Sequence, residues 1–249
     1  YDRSPDAICK LIEKNKVELL PASPSFLNLF LLSNSHKKYK LNSLKIISYG
    51  TEPMPKTTLE KLTYLLPNVT FQQTYGLIEL GVMRTKSESN GSLWLKIGGE
   101  GYQYRIRNKL LEIKAESAML GYLNANSPFT KDGWYQTGDK VETKGEYIRI
   151  IGRKSEVINV GGDKVYPQEV ENILLQMKNI ADVTVYGEYN AILGNIVCCN
   201  ILLLRPQSKS ALKGEIQEFC ESKLEKFKIP VKVTIMKDHN ITNRLKKKR

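Results

Sequence analysis

The stretch from residue 44 to residue 76, LKIISYGTEPMPKTTLEKLTYLLPNVTFQQTYG, decides the class of fold. Leu44–Ser48 and Val69–Gln73 have the apolar character of buried strands, and a helical segment lies between them. A strand, a helix and a second strand in this order predict a parallel sheet. Ligands of such sheets bind beyond the carboxyl ends of the strands. Gly50 and Tyr75 lie in the predicted turns at those ends.

The segment before this stretch continues the alternation of helices and strands. Ser4-Pro5 and Ser23-Pro24 each predict the start of a helix, because serine caps a helix N-terminus and proline suits its first position. Val17–Leu20 predicts a buried strand between the two helices. Residues 1–80 therefore form an α/β portion.

The pattern changes after Gly81, where short strands and turns replace the alternation. Asn108-Lys109 has the composition of a hairpin turn. Residues 81–151 therefore predict a small antiparallel sheet or β-barrel-like region. The predicted strands are Val82–Thr85, Leu93–Ile97, Tyr102–Arg107, Leu110–Lys114 and Tyr147–Ile151.

Beyond Gly152-Arg153 the pattern predicts a compact α+β domain, with a boundary at residues 152–156. The predicted fold class is thus α/β: part of a parallel α/β sheet domain, then the β-barrel-like region, then a C-terminal α+β domain at residues 157–249. Its predicted helices start at Tyr166-Pro167 and Ser210, and its predicted strands are Ala181–Tyr186, Ile196–Leu204 and Val231–Met236.

Composition excludes several classes of protein. The chain has 249 residues, of which 41% are hydrophobic, so it can fill a core. No apolar run reaches the ~18 residues that a membrane span needs, and we expect a cytoplasmic protein. The four cysteines have no metal-ligand or redox spacing and are interpreted as buried thiols. The N-terminus carries neither an initiator methionine nor a signal peptide and is interpreted as a cut inside a longer protein.

The net charge of +12 favours anionic partners: nucleotides, coenzyme A, nucleic acid or anionic lipid. The sequence contains no recognisable nucleic-acid-binding motif, and outside the last six residues the basic side chains are dispersed. We therefore expect no nucleic-acid partner. The last six residues are either a solvated basic tail or part of a functional motif. The oligomeric state cannot be read from the sequence.

Four segments carry residues suited to nucleotide chemistry, and their order is more specific than any one of them. A tyrosine followed by glycine after a strand can place a flat ring against a base. The carboxylate of Asp139 can accept from the two hydroxyls of a ribose, and Arg153 can donate to ribose or phosphate. The segments are GTEPMP (50–55), TYGLIE (74–79), TGD (137–139), and GRKSE (152–156) followed by GGDKVYPQEVE (161–171).

In this order and spacing the four segments resemble the adenylate-forming superfamily: acyl-CoA synthetases, peptide-synthetase adenylation domains and luciferases. The resemblance covers nearly the whole chain and favours the acyl-CoA synthetase type. It implies that residues 1–151 are the C-terminal part of a large AMP-binding domain, that residues 152–156 are a hinge at Ser155, and that residues 157–249 are a mobile domain.

The resemblance also implies roles for individual residues. Tyr75 stacks on adenine, Gly50 lies along the base, Asp139 binds the ribose, and Glu79 holds Mg²⁺. The loop at Gly161-Gly162, together with Lys164, lines a tunnel for the thiol of coenzyme A. The complete set of residues implied to bind the nucleotide is Gly50, Thr51, Glu52, Thr74, Tyr75, Gly76, Asp139, Ile151 and Arg153.

The family's final motif, Thr-x-x-Gly-Lys-x-x-Arg, is matched by Thr242–Arg249 with one change, Leu245 in place of glycine. Lys246 then falls on the catalytic lysine. Ile78 stands where the family has Thr or Ser, and Ser155 where Asp or Lys is common. No Gly-rich phosphate loop precedes Gly50, which we interpret as truncation.

The implied function is activation of a carboxylic acid by ATP as acyl-AMP, followed by transfer to coenzyme A, in a fragment that is inactive alone. Two alternatives stay open. The acceptor is the phosphopantetheine of a carrier protein, or the chain is a degenerate, non-enzymatic basic module. We expect Tyr75 and Asp139 to lie in turns, where truncation to alanine leaves no core cavity.

Overall fold

The computed structural model of the protein describes residues 2–238. The first helix, α1 (Pro5–Asn15), begins where Ser4 accepts a hydrogen bond from the Ala7 amide. The second, α2 (Pro24–Ser33), begins where Ser23 accepts from the Phe26 amide. Both predicted helix starts are confirmed, because each serine satisfies an amide that the first turn leaves without a partner.

The parallel sheet predicted for the N-terminal portion is present. It consists of β1 (Leu19–Ala22), β2 (Ile46–Tyr49) and β3 (Thr70–Gln73), in the order β1-β2-β3. Helix α3 (Lys56–Leu65) connects β2 to β3. Apolar residues of these strands and of the three helices form one buried cluster. All three strands end at the same edge of the sheet, which is where the predicted nucleotide residues begin.

The prediction of a β-barrel-like region is wrong, because residues 75–153 form an open sheet. Its order is β4-β5-β6-β10-β9-β8-β7, and within the described residues no pairing joins β7 back to β4. Apolar side chains from its strands and from the turn at Leu80 form one buried cluster. Its strands are β4 (Tyr75–Leu77), β5 (Gly81–Ser87), β6 (Leu95–Gly98), β7 (Tyr102–Arg107), β8 (Leu110–Ala115), β9 (Tyr135–Lys144) and β10 (Tyr147–Arg153).

Two segments predicted as turns are strands of this sheet. Tyr75 begins β4, and the segment around Asp139 belongs to β9, which lies between β8 and β10. The polar sequence TGD did not indicate a strand. It lies where the register of β9 against β8 shifts, so the regular alternation of a strand is interrupted. Gly138 has a φ of 73° there, in the region that favours glycine. The Asn108-Lys109 turn is confirmed, since both residues have positive φ.

The C-terminal α+β unit is present, and its two longest strands, β13 and β14, are longer than predicted. Its sheet has the order β12-β11-β14-β13, with β15 parallel to β14. Cys198 and Cys199 lie in β14 and both are buried. The elements are β11 (Ile158–Val160), β12 (Asp163–Val165), α4 (Pro167–Leu174), β13 (Ile180–Asn190), β14 (Gly194–Leu203), α5 (Lys209–Glu221) and β15 (Lys232–Met236).

The described residues contain three separate clusters of buried apolar side chains, one for each sheet. The domain limits suggested by the sequence stay a prediction. Among residues 2–238 no helix is both long and apolar enough to cross a membrane.

Candidate active site

The site begins at the carboxyl end of the parallel sheet, where the backbone of β2 and the segment after β3 are tightly joined. The amide of Thr74 donates to the carbonyl of Tyr49 at 2.7 Å, and its hydroxyl donates to the same oxygen at 3.1 Å. A Cβ atom at Gly50 would lie 2.4 Å from Thr74 Oγ1 and 2.9 Å from Thr74 O. Glycine is therefore required at position 50 by contact with Thr74.

Glu52 anchors the start of α2 at this edge. Its Oε2 accepts from the amide of Ser25 at 3.2 Å and from the hydroxyl of Ser25 at 2.6 Å. A carboxylate at a helix N-terminus is stabilised by the amides and the dipole of the first turn. Glu52 thus holds the helix and the sheet edge together.

The centre of the site is a network of Tyr75, Asp139 and Arg153. The hydroxyl of Tyr75 donates to Asp139 Oδ2 at 2.5 Å, and Arg153 Nε donates to Asp139 Oδ1 at 3.0 Å. Burial, followed by the charge of Asp139, raises the pKa of Tyr75 well above its usual range. Tyr75 is only 7% exposed and Asp139 only 3%. The expectation that these residues occupy open turns is therefore wrong.

Three strands position this network. Tyr75 begins β4, while Asp139 and Arg153 are paired partners on β9 and β10. The hydroxyl of Thr137 fixes the local backbone by donating to the carbonyl of Leu111 at 2.8 Å and accepting from the amide of Asp139 at 3.0 Å. Tyr75 and Asp139, which are 64 positions apart in sequence, thus meet because β4 and β9 belong to the same open sheet.

The network lines a cavity of about 280 Å³, which we call the adenosine cavity. This volume is near the lower limit of typical small-molecule sites, ~300–1,000 Å³. Of the nine residues predicted to bind the nucleotide, only Ile151 lies elsewhere. The eight residues that line the cavity are Gly50, Thr51, Glu52, Thr74, Tyr75, Gly76, Asp139 and Arg153.

The C-terminal unit closes one side of the adenosine cavity. Asn28 of α2 donates to the carbonyl of Ala181 at 3.2 Å, and the amide of Lys56 donates to Asn172 Oδ1 at 3.3 Å. Residues that the sequence reasoning did not predict thereby reach the cavity: Glu156, Gln168, Glu171, Leu175 and Asp182. Glu156 lies in the 3-10 turn at Lys154–Glu156, Gln168 and Glu171 lie on α4, Leu175 follows α4, and Asp182 lies on β13. The motifs that contain Glu156, Gln168 and Glu171 gave these three residues no individual role, and the other two lie outside the motifs.

Two glutamine oxygens in the cavity wall have no hydrogen-bond donor among the described residues. They belong to Gln73, which is 8% exposed, and Gln168, which is 6% exposed. Buried acceptors of this kind are usually satisfied. The wall therefore offers unused acceptors, which suit the amino group and hydroxyls of a nucleoside.

The charges of the cavity wall fit adenosine better than they fit a triphosphate. Arg153 is the one cation that lines the cavity within residues 2–238. Carboxylates accept hydrogen bonds but repel phosphate. The charges of the wall are therefore compatible with an uncharged nucleoside, and phosphates would need cations from outside the described wall. The carboxylates that line the cavity are Glu52, Asp139, Glu156, Glu171 and Asp182.

The remaining predicted residues that the structure describes lie outside the wall of the adenosine cavity. Glu79 lies outside its wall and accepts from the hydroxyl of Tyr122 at 2.5 Å. This bond, the largest cause, lowers the pKa of Glu79 below its ordinary value. Ser155 is exposed in a short 3-10 turn at Lys154–Glu156. Gly161-Gly162 forms the hairpin turn between β11 and β12, and Lys246 lies outside the described residues.

No group of three or more His, Cys, Asp or Glu side chains within residues 2–238 could hold a metal ion. Magnesium is commonly held by one or two carboxylates together with substrate phosphates. Glu79 alone is compatible with that mode of binding.

A second cavity, of about 780 Å³, lies between the open sheet and the C-terminal unit, and we call it the basic groove. It shares Gln73 and Gln168 with the adenosine cavity. The three acidic residues in its wall are each within 4 Å of a wall cation: Glu60 with Lys56, Glu142 with Arg149, and Glu169 with Lys228. In the part of the chain that the structure describes, four wall lysines have no such partner: Lys109, Lys140, Lys164 and Lys223.

Comparison with known families agrees with this geometry. The pattern described as "AMP-binding enzyme" matches residues 1–98, and the pattern described as "AMP-binding enzyme C-terminal domain" matches residues 169–246. The chain belongs to the AMP-binding enzyme family. Asp139 and Arg153 lie between the two matched ranges, so the family patterns do not cover them.

Similar proteins of this AMP-binding family are acid–CoA ligases and adenylating enzymes. Indoleacetate–CoA ligase of Aromatoleum aromaticum is 27% identical, with 93% of this chain covering 48% of that protein. Phenylacetyl-CoA ligase of Aspergillus niger is 30% identical, with coverages of 90% and 46%. A 2,3-dihydroxybenzoate–AMP ligase of Vibrio cholerae is 27% identical, with coverages of 92% and 46%. The chain spans about half the length of these curated relatives.

Solved structures of the family share the fold. ATP-bound MatB from Rhodopseudomonas palustris superposes with a TM-score of 0.82 at 21% identity, over 98% of this chain and 51% of that chain. An anthranilate CoA ligase in complex with anthranoyl-AMP gives 0.80 at 20% identity, over 96% and 50%.

Proposed function

We propose that these residues belong to an ATP-dependent ligase that activates a carboxylic acid as acyl-AMP and transfers the acyl group to coenzyme A. The observation that carries the proposal is the adenosine cavity, where Tyr75, Asp139 and Arg153 meet at the end of a parallel sheet. Membership of the AMP-binding family supports it.

The described residues would bind and orient the nucleoside. Asp139 has its two oxygens engaged by Tyr75 and Arg153, yet a carboxylate has about four lone-pair sites and can accept from ribose hydroxyls as well. Because Arg153 holds the carboxylate in place, the ribose would meet a preorganised acceptor. The aromatic ring of Tyr75 offers the flat surface for adenine.

The chemistry proposed for the complete ligase has two steps. A carboxylate oxygen of the acid attacks the α-phosphorus of ATP, the bond to pyrophosphate breaks, and pyrophosphate leaves. The thiol then attacks the acyl carbon, and AMP leaves with the electrons of the broken bond. A divalent cation held by Glu79 would neutralise charge on the phosphates. Lys246 would donate to the charge that develops in the first step.

The experiment that tests this proposal uses residues 1–249 and titration calorimetry. We expect AMP to bind and GMP to bind at least tenfold more weakly, since the cavity is small and its unused groups are acceptors. Asp139→Asn should weaken the binding of AMP. Asp163→Asn, on the exposed hairpin strand β12, is the matched control and should leave AMP binding unchanged. Equal affinity for AMP and GMP, or no AMP binding, would show that the proposal is wrong.

The same chain should not release pyrophosphate in response to an acid, because among residues 2–238 the wall of the adenosine cavity supplies one cation for three phosphates. Pyrophosphate release by residues 1–249 over a panel of fatty, aryl and amino acids would contradict the proposal that further residues are required.

The basic groove supports coenzyme A over a carrier protein as the acceptor. Among residues 2–238, four of its lysines have no acidic side chain within 4 Å. Their charges suit the phosphates of free coenzyme A, including the 3′-phosphate, which a carrier-bound phosphopantetheine lacks. We expect coenzyme A to bind more tightly than its dephospho form, with an affinity that falls as salt rises. Equal affinity for the two forms would favour the carrier-protein alternative.

A further inference from the structure

The segment between β8 and β9 crosses the turn that carries Glu79. The amide of Met119 donates to the carbonyl of Glu79 at 2.8 Å, and the hydroxyl of Ser117 donates to the carbonyl of Leu80 at 2.7 Å. These two hydrogen bonds to backbone carbonyls hold residues 117–119 against the turn. The segment is therefore placed to act on the Glu79 side chain.

Tyr122 follows in the same segment, and its hydroxyl donates to Glu79 Oε1 at 2.5 Å. The side chain is 44% exposed, and the neighbouring Leu120 and Leu123 are fully exposed. A tyrosine in the middle of such a segment does not fill the core. What distinguishes it from its neighbours is the hydrogen bond to the carboxylate.

Glu79 is enclosed from a second direction by Tyr135, whose side chain is buried at the start of β9. Glu79 does not line the adenosine cavity, and the nearby charge of Arg153 contributes to lowering its pKa. Tyr122 and Tyr135 thus both interact with the carboxylate of Glu79. The orientation of Glu79 thus depends on a residue outside all four sequence motifs.

We propose that Tyr122 is a positioning residue for Glu79, and that it thereby sets the affinity of the site for the metal–nucleotide complex. The proposal rests on the proposed function, in which Glu79 contacts a divalent cation at the phosphates. Partners that orient a metal-binding side chain typically change metal affinity 10–100-fold when they are removed. Because Tyr122 is partly exposed and water can replace its hydroxyl, we expect loss of this hydroxyl to weaken metal binding by the lower limit of that range, about tenfold.

The test measures Mn²⁺ binding to residues 1–249 in the presence of ATP, by the spectroscopic signal of free Mn²⁺. Tyr122→Phe should raise the Mn²⁺ dissociation constant about tenfold, without changing the AMP affinity or the midpoint of urea unfolding. Tyr39→Phe is the matched control, since Tyr39 also donates to a carboxylate, Asp6 Oδ2, at 2.8 Å and lies outside the site. It should leave Mn²⁺ affinity unchanged.

A double-mutant cycle separates positioning from a general effect of the loop. In a Glu79→Gln background, Tyr122→Phe should have no further effect on Mn²⁺ affinity, because the carboxylate that the Tyr122 hydroxyl orients is absent. An equal loss in both backgrounds would overturn the proposal, as would unchanged affinity in Tyr122→Phe. Failure of the parent chain to bind Mn²⁺ while it binds AMP would also overturn it and leave the proposed function intact; failure to bind AMP would refute the function instead.

Discussion

Replacing Tyr75 with phenylalanine removes one hydroxyl from the centre of the site and leaves the ring in place. The hydroxyl donates to the buried carboxylate of Asp139 at 2.5 Å. A hydrogen bond to a charged group contributes ~1.5–3 kcal/mol to stability. No cavity forms, because the aromatic ring remains. We therefore expect Tyr75→Phe to lower the free energy of unfolding by about 1.5–3 kcal/mol.

The assay is urea unfolding of residues 1–249 with linear extrapolation to water. Tyr64→Phe, on the exposed face of α3, is the matched control, and its free energy of unfolding should stay within ~0.5 kcal/mol of the parent. A loss below ~0.5 kcal/mol for Tyr75→Phe would refute the reasoning, since it would mean that the Tyr75–Asp139 hydrogen bond does not stabilise the folded state.

The pH dependence of this difference follows from the raised pKa of Tyr75. In the folded state the pKa lies well above the usual value of 10.0, and in the unfolded state it returns to that value. The contribution of the hydroxyl is therefore fully present below pH 10.0 and is lost as pH rises above it. The difference between parent and Tyr75→Phe should thus be constant between about pH 6 and 9.

Tyr75→Ala is a poorer probe of nucleotide binding than the sequence suggested. The side chain is 7% exposed, and truncating a buried aromatic residue typically costs ~3–5 kcal/mol. Loss of AMP binding in that variant would combine unfolding with loss of the stacking surface. Tyr75→Phe keeps the surface, so its AMP affinity should stay within about threefold of the parent.

Two further predictions address the proposed ligase and the thiols. If the proposed function holds for the complete protein, Lys246→Ala should slow acyl-AMP formation by about 10²–10³ and spare thioester formation from acyl-AMP, whereas Lys247→Ala and Lys248→Ala should have small effects. A defect that peaks at Lys247 or Lys248 would show that the alignment across Leu245 is shifted. Burial raises the pKa of Cys9 to about 11 and that of Cys199 to about 12. A thiol reagent at pH 8 should therefore label the native chain slowly, and it should label all four cysteines only after unfolding. Rapid labelling of the native chain would contradict the burial of the cysteines.

Local sequence signals determined much of the α/β portion. Serine followed by proline specified the starts of α1 and α2, because the cap and the first turn involve only neighbouring residues. The apolar runs specified β2 and β3, and the family motifs indicated eight residues that line the adenosine cavity. These features depend on interactions within a few residues, which a sequence displays directly.

Long-range pairing decided the rest. Whether the second sheet closes depends on which strands become its edges, and no local signal specifies that, so the β-barrel-like expectation was wrong. The burial of Asp139 arises from pairing of β9 with β10 and from contact with Tyr75, 64 residues away. Tyr122 meets Glu79 across 43 residues, through a loop whose sequence shows no motif. Motifs in the sequence indicated candidate residues for nucleotide binding, which stay a prediction, whereas tertiary contacts decided which of them are buried and held, because burial depends on what packs against each side chain in space.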